Sequence, residues 1–123
     1  MKFTLDRPGT AYVVRAYAPG VIRIGERDVA SSVIVSATTL IEPWRPRHAG
    51  ELAADDLEPA VALAPEVLLI GTGPRQVFPA SAILASLHRA RIGFEVMDTG
   101  AACRTYNLLL AEDRRVAAAL IVG

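Results

Sequence analysis

The sequence predicts an α/β protein in which antiparallel strands come first and a β-α-β-α-β unit follows. Residues 11–41 hold short runs rich in valine, isoleucine and tyrosine between glycine and proline turns, a pattern typical of antiparallel strands. Residues 66–122 alternate short apolar runs with amphipathic segments, which is typical of strands joined by helices. We therefore expect one domain over residues 1–123, with mainly antiparallel strands and a loop in 1–50 and the α/β unit in 51–123.

The antiparallel part is predicted to be a meander of three strands. Residues 11–18 and 21–24 form the first two strands, and the Pro-Gly pair at 19–20 suits a tight turn because proline fixes its φ and glycine accepts a positive φ. Residues 29–36 form the third strand, whose valines are expected to face the core on one side. Residues 38–41 either extend the sheet or add a short strand.

Residues 42–50 are predicted to be irregular, because two prolines exclude a helix or a central strand there. Trp44 in this loop either plugs the loop onto the core or stays exposed for a partner. The plug is the favoured interpretation, because a lone tryptophan in a proline-containing loop usually anchors that loop. The basic residues Arg45, Arg47 and His48 are interpreted as part of a solvated loop.

In the second half of the chain, apolar runs predict strands at 67–70, 94–97 and 116–122. Amphipathic segments predict helices at about 80–91 and 101–111. Strands joined through helices in this way normally run parallel, with right-handed crossovers between them.

Parallel sheets of this type bind ligands beyond the carboxyl ends of their strands. The residues that the sequence places at or near that edge are Gly71, Thr72, Gly73, Asp98, Thr99, Arg104, Thr105 and Asn107. Backbone N–H groups at the start of the second helix, together with the Arg104 guanidinium, are able to hold an anion. This edge is therefore the predicted ligand or interaction surface.

These residues also have structural interpretations, which the sequence leaves open. The two glycines suit a tight strand-to-helix turn as well as contact with a ligand. Asp98 is able to act as a general base, but such an aspartate more often caps the next helix or pairs with an arginine. Arg104 either binds an anion or forms an internal salt bridge with Asp98 or Glu112.

The sequence contains no complete catalytic, cofactor-binding or metal-binding motif. Gln76 stands where a dinucleotide fingerprint requires its third glycine, and no Gly-Lys-Ser/Thr follows to make a P-loop. Cys103 lies in an early helical turn, where the helix dipole is able to lower a thiol pKa. Neither His48 nor His88 lies near it in the sequence to serve as its base. We therefore expect no catalytic residue, no metal and no cofactor, and we favour a protein that is not an enzyme.

The chain carries 13 basic and 13 acidic residues, so it has no general attraction to nucleic acid or to an anionic membrane. Cys103 is the only cysteine, which fits a reducing compartment. Residues 1–9 lack the apolar region of a signal peptide. The longest apolar run, 116–122, is far shorter than the roughly 20 residues of a membrane helix. We expect a cytoplasmic protein without membrane insertion, present as a monomer or a weak homodimer.

Several motifs, taken together, resemble one family. They are Leu69–Gly73, Gly93–Thr99, Ala102–Asn107 and Glu112–Val116, with Trp44 in its loop. The family is a small domain of unknown function shared by bacterial and archaeal proteins, by a mitochondrial assembly factor for respiratory complex I and by an animal cytosolic protein linked to adipogenesis. The resemblance covers nearly the whole chain. The resemblance implies that the matching positions belong to a surface or a framework that the family shares. These positions are Gly71, Gly73, Asp98, Thr99, Arg104, Thr105 and Asn107.

This resemblance implies a three-layer α/β fold with a central mixed sheet and no established enzyme activity. For the mitochondrial relative it implies action through protein partners. The first hypothesis is therefore a non-catalytic interaction or assembly-factor-like protein, which predicts an exposed apolar patch; Trp44 belongs to this patch only if its side chain is exposed. The alternative is a small-molecule or anion-binding protein, with or without enzyme activity, that uses a crevice near Gly73, Asp98 and Arg104.

Overall fold

A computed structural model describes residues 2–4 and 11–123 of the chain. Residues 1 and 5–10, part of the stretch interpreted as lacking a signal peptide, lie outside the described residues. The described strands are β1 (Lys2–Thr4), β2 (Val14–Ala18), β3 (Val21–Ile24), β4 (Arg27–Val29), β5 (Ser32–Ser36), β6 (Thr39–Trp44), β7 (Val67–Gly71), β8 (Gly93–Met97) and β9 (Val116–Leu120). The described α-helices are α1 (Glu58–Ala62), α2 (Ser81–Arg89) and α3 (Thr99–Ala111), with short 3-10 helices at Ala49–Glu51 and Ala54–Leu57.

The central sheet is mixed and has the strand order β1-β6-β5-β9-β7-β8. Strand β7 runs parallel to both β8 and β9, as the β-α-β-α-β pattern predicts. Strand β5 runs antiparallel to β9 and so joins the parallel half to the antiparallel half. Strands β2, β3 and β4 form a separate antiparallel sheet. The fold class inferred from the sequence and the resemblance, an α/β fold with a mixed central sheet, is confirmed.

The third strand of the predicted meander is divided between the two sheets. Strand β4 ends at Val29 and pairs with β3, whereas β5 begins at Ser32 and pairs with β6 and β9. Val33, Ile34 and Val35 are all completely buried, which is typical of a central strand covered on both faces and not of an alternating one. The expectation that only one side of residues 29–36 faces the core was therefore wrong.

Residues 39–41 form the beginning of a separate strand, β6, which continues to Trp44 through Pro43. The prediction that the irregular loop begins at residue 42 was wrong for this reason. Pro43 is tolerated because it falls where the pairing between β5 and β6 shifts register, so its missing N–H interrupts no regular ladder.

The central sheet is the middle of three layers. On one face, Leu68 and Ile70 of β7 pack with residues of the α1 and α2 region such as Leu87. On the other face, Leu69 packs with α3 and with the small sheet, which contributes Ile22 among others. Alternate residues of one strand therefore serve two separate cores. This arrangement confirms the three layers that the resemblance implies.

Polar side chains of α3 connect the small sheet to the helix. The Asn107 side chain accepts a hydrogen bond from the backbone N–H of Val14 at 3.0 Å and donates one to the Val14 carbonyl at 2.7 Å. The buried Tyr106 hydroxyl donates to the Tyr12 carbonyl at 2.7 Å. The Asn107 amide thus satisfies both the N–H and the carbonyl of Val14, as a neighbouring strand would do.

We expect Asn107→Ala to lower the free energy of unfolding by about 1–3 kcal/mol, because it leaves partly buried polar groups of Val14 without partners. Urea denaturation followed by circular dichroism measures the change. The matched control is Leu108→Ala, since Leu108 is 59% exposed, and its effect should stay within about 0.5 kcal/mol. Equal stability of Asn107→Ala and the wild type would contradict the assigned role of this amide.

Candidate functional site

The carboxyl edge of the parallel strands is where the sequence placed a ligand or interaction surface. Residues 71–73 follow β7, and residues 98–99 connect β8 to α3. Residues 121–123 follow β9 and run along the same edge. The backbone N–H of Ile121 donates to the Gly71 carbonyl at 3.0 Å, and that of Gly123 donates to the Arg47 carbonyl at 3.1 Å. The chain therefore covers this edge with its own residues.

Thr99 joins the three segments that meet at the carboxyl edge. Its hydroxyl accepts a hydrogen bond from the Gly73 N–H at 2.7 Å and donates one to the Ile121 carbonyl at 2.7 Å. Its own N–H donates to the Gly73 carbonyl at 2.8 Å. Because Thr99 is completely buried, these bonds are shielded from water and its polar atoms are used internally.

The glycines at this edge are needed for close packing. Gly73 has a φ of 90°, and a Cβ atom built there would lie 2.4 Å from the Gly123 carbonyl oxygen. A Cβ on Gly71 would lie 3.0 Å from both Cα and Oγ1 of Thr99. The tight-turn interpretation accounts for both residues. Beside this turn the structure keeps a pocket of about 290 Å³, lined by Thr72, Pro74, His48 and Gly123 among others.

The remaining turn residues also bond within the chain. The buried Thr72 hydroxyl donates to the Arg75 carbonyl at 2.5 Å and accepts from the Val77 N–H at 3.0 Å. The Gln76 side chain donates to the Val96 carbonyl at 2.9 Å. These bonds hold the turn after β7 against the end of β8.

Asp98 is the N-cap of α3. Its Oδ1 atom accepts a hydrogen bond from the Ala101 N–H at 2.8 Å, which satisfies one of the free donors of the first turn. The capping interpretation of Asp98 therefore describes the structure.

Arg104 lies on the exposed side of α3 and lines a groove of about 230 Å³ between this helix and β2. Within residues 11–123 it forms no ion pair, so the salt bridge expected with Asp98 or Glu112 is absent from the described part of the chain. Thr105 is half-buried on the same helix. The structure thus separates Arg104, beside β2, from Gly73, which packs under Gly123.

Trp44 is a core residue, as the favoured interpretation predicted. It is only 4% exposed, and its indole N–H donates to the Asp56 carbonyl at 2.8 Å. Arg45 beside it forms an ion pair with the Asp56 carboxylate at 2.6 Å, and this hydrogen-bonded guanidinium holds the pKa of Asp56 below its ordinary value. Trp44 therefore anchors the loop to the 3-10 region before α1 and contributes no exposed patch.

Cys103 is buried at the interface between α3 and the small sheet. Burial raises the pKa of its thiol from 9.0 to about 12, an effect that the nearby charge of Arg104 only partly opposes. The thiol therefore stays protonated at neutral pH and is a poor nucleophile, in spite of its place near the start of a helix. Among the described residues, no group of three or more His, Cys, Asp or Glu side chains is arranged to hold a metal ion.

Two exposed apolar side chains in the β7–α2 loop were not singled out by sequence reasoning. Phe78 is 70% exposed and Val77 is 42% exposed. The sequence does contain an indication of their exposure. The pair lies between Pro74 and Pro79, outside any strand or helix that would carry it into the core. This loop connects the carboxyl edge of the sheet to the layer that contains α2.

Comparisons with known proteins agree on one family. The model of a family described as proteins of unknown function (DUF498/DUF598) matches residues 14–121. The crystal structure of a Bordetella parapertussis protein aligns with a TM-score of 0.85 and 34% identity over 95% of this chain and 100% of that chain. The 13 kDa major membrane protein of Francisella tularensis is 32% identical over 82% of this chain and 81% of its own length.

A third relative is NADH dehydrogenase (ubiquinone) 1 alpha subcomplex assembly factor 3 from Danio rerio. It is 32% identical over 111 residues, which are 89% of this chain. The matched region spans 63% of that relative, so the relative also contains sequence outside the comparison.

Thr99→Val tests the hydrogen bonds at the carboxyl edge. We expect it to lower the free energy of unfolding by about 2–4 kcal/mol, because it leaves two groups, the Gly73 N–H and the Ile121 carbonyl, without their partner. Thermal and urea denaturation measure the loss. Thr99→Ser keeps the hydroxyl and should retain most of the stability; a serine variant as unstable as the valine variant would show that the hydroxyl is not the cause.

The raised pKa of Cys103 predicts a loss of stability at alkaline pH. Above 9.0 the unfolded thiol ionises while the folded thiol stays protonated up to about 12, so the free energy of unfolding falls across this window. The Cys103 contribution approaches about 1.4 kcal/mol per pH unit. Urea denaturation at several pH values should give a shallower decline for Cys103→Ala than for the wild type. An identical decline would contradict this effect.

Proposed function

The chain belongs to the family of proteins of unknown function (DUF498/DUF598), and we propose that it is a non-catalytic protein that binds protein partners during assembly of a membrane complex of the respiratory type. The observation that carries the proposal is the family relationship to a protein named as a NADH dehydrogenase assembly factor. The chain spans only 63% of that relative, so the transfer of the relative's assembly role to this chain is itself part of the proposal.

The geometry of the carboxyl edge supports a non-catalytic role. Of the polar groups that the sequence offered for ligand binding there, Thr99 and Thr72 bond to backbone carbonyls and Asp98 caps α3. Cys103 is buried and protonated. A chemical step at this edge would require these internal bonds to break first, at a cost of stability.

The β7–α2 loop supports contact with a protein. Val77 and Phe78 together expose apolar area on the order of 200 Å², the size of a single anchor side chain and its neighbour. Aromatic anchors of this kind often carry much of the binding energy of a protein interface. The turn bonds of Thr72 and Gln76 hold the base of the loop, which lowers the entropy lost on binding.

The proposed location is the cytoplasm, at the surface of a membrane complex. Among the described residues, no helix is long and apolar enough to cross a membrane. A chain without such a helix is able to reach a membrane by binding a partner that is embedded there. The same arrangement is compatible with a relative that is named as a membrane protein. The single cysteine fits the reducing conditions of the cytoplasm.

A second candidate function is the binding of a small molecule or an anion. Arg104 favours it, because this exposed guanidinium lines a groove and forms no ion pair within residues 11–123. Gly73 does not favour it, because its N–H is bonded to Thr99 in the turn, and Asp98 already uses its Oδ1 atom in the helix cap. Recovery of the protein with a bound metabolite in place of a protein partner would support this function.

Phe78→Ser tests the proposed anchor. The tagged chain is purified from its native host at low salt, and the recovered proteins are quantified by mass spectrometry. We expect the wild type to recover respiratory-complex subunits or assembly proteins, and Phe78→Ser to reduce that recovery by about tenfold because a central aromatic contact is lost.

The control for this experiment is Val21→Ser, which removes an exposed apolar side chain from the small sheet. Its recovery of partners should match the wild type. A wild-type chain that recovers no component of a membrane complex would contradict the proposed function. If Phe78→Ser recovers the same amount of partner proteins as the wild type, the loop is not the anchor of the interface.

A further inference from the structure

We infer that the groove between β2 and α3 binds an acidic segment of a protein partner through carboxylate side chains. The inference rests on the proposed function and adds the chemistry of the partner and the place where it docks. The groove has a volume of about 230 Å³, and the residues that give it its chemistry are Arg15, Tyr17, Gly100 and Arg104.

The groove carries two guanidinium groups that form no ion pair in the described part of the chain, although the Asp98 carboxylate lies near Arg104 and offsets part of its charge. Arg15 and Arg104 are both exposed, and neither forms an ion pair within residues 11–123. Asp98 is the nearby acidic residue, but its Oδ1 atom accepts the Ala101 N–H and it makes no salt bridge with Arg104. Guanidinium groups bind carboxylates through paired, charge-assisted hydrogen bonds, so an acidic segment is complementary to this groove.

Tyr17 gives the groove an unused polar group. Its hydroxyl is buried and has no hydrogen-bond partner among the described residues. A buried hydroxyl without a partner is unfavourable, and because it is shielded from solvent, a carboxylate oxygen gains this bond only when the Tyr17 side chain moves to meet it. The Asn107 amide, which lies on the same groove, does not compete because both of its ends are bonded to Val14.

Gly100 keeps the space between these groups open. A Cβ atom built on Gly100 would lie 3.3 Å from Asp98 Oδ1, 3.5 Å from Arg104 Nη1 and 3.8 Å from Tyr17 Cδ2. A side chain there would be tight only against Asp98 Oδ1 and in ordinary contact with Arg104 and Tyr17, so Gly100 leaves this point of the groove free of a side chain.

Leu108 indicates that the occupant is a protein segment and not a free anion. It lies four residues after Arg104 on α3, hence on the same face of the helix, and it is 59% exposed. Arg104 and the exposed Leu108 thus lie one helical turn apart, and Tyr17 lines the groove beside Arg104; arginine and aromatic residues are enriched in protein interfaces. An acidic segment with an apolar residue beside its carboxylates satisfies all three.

The test uses a fluorescein-labelled peptide of alternating glutamate and leucine, with a peptide of alternating glutamine and leucine for comparison. Binding to the full chain is measured by fluorescence anisotropy. We expect the glutamate peptide to bind the wild type, with Arg104→Glu and Arg15→Glu each weakening binding by about tenfold, and higher salt also weakening it. The control is Arg89→Glu, which makes the same charge change on α2, in another layer, and should leave the affinity within about twofold.

Two results would overturn the inference. The first is equal binding of the glutamate peptide to Arg104→Glu and Arg89→Glu, both folded by circular dichroism. The second is binding of inorganic phosphate or phosphatidylglycerol vesicles that depends on Arg104 while the glutamate peptide does not bind, since the groove would then serve a phosphate.

Purification from the native host separates this inference from the proposed function. If wild type and Arg104→Glu recover the same membrane-complex subunits in equal amounts, the groove is not the docking site although the assembly role stands. If the wild type recovers no such subunits while the glutamate peptide still binds in an Arg104-dependent way, the proposed function fails and the groove remains a site for acidic segments.

Discussion

The structure depends on one buried hydroxyl group, that of Thr99. This single oxygen accepts the Gly73 N–H and donates to the Ile121 carbonyl, so it connects the turn after β7, the start of α3 and the segment after β9. Each of these segments would otherwise end in unpaired backbone groups at the edge of a parallel sheet. Hydrogen bonds within the chain thereby close the strand ends at the edge where many α/β proteins hold a ligand, beside a remaining pocket of about 290 Å³.

Because polar groups at the carboxyl edge are bonded within the chain, other parts of the surface are the better candidates for binding a partner. Two exposed features stand out in the described part of the chain: an apolar pair in the loop before α2 and two arginines in the groove beside α3. The loop and the groove belong to elements on different faces of the central sheet. Two such surfaces allow contact with more than one segment of a partner, which raises avidity where both are engaged together.

Much of the fold was predictable because local periodicity determines where its elements lie. The strands and helices after residue 66 follow the predicted pattern closely, and Asp98 has the residue type and position of a helix cap. The division of residues 29–36 between two sheets was not predictable, because β5 pairs with β9 more than 80 residues later, and local sequence carries no trace of such a partner. The closed edge escaped prediction for the same reason, since residues 121–123 reach Gly71 and Arg47 through long-range contacts.

Amide hydrogen exchange in the free protein tests the closed edge most directly. The Gly73 amide bonds to Thr99 and the Ile121 amide bonds to Gly71, so both should exchange as slowly as the core amide of Ile70. The Phe78 amide, in the exposed loop, provides the fast reference. Exchange of Gly73 and Ile121 at the rate of Phe78 would contradict a closed edge and would return that edge to consideration as a ligand site.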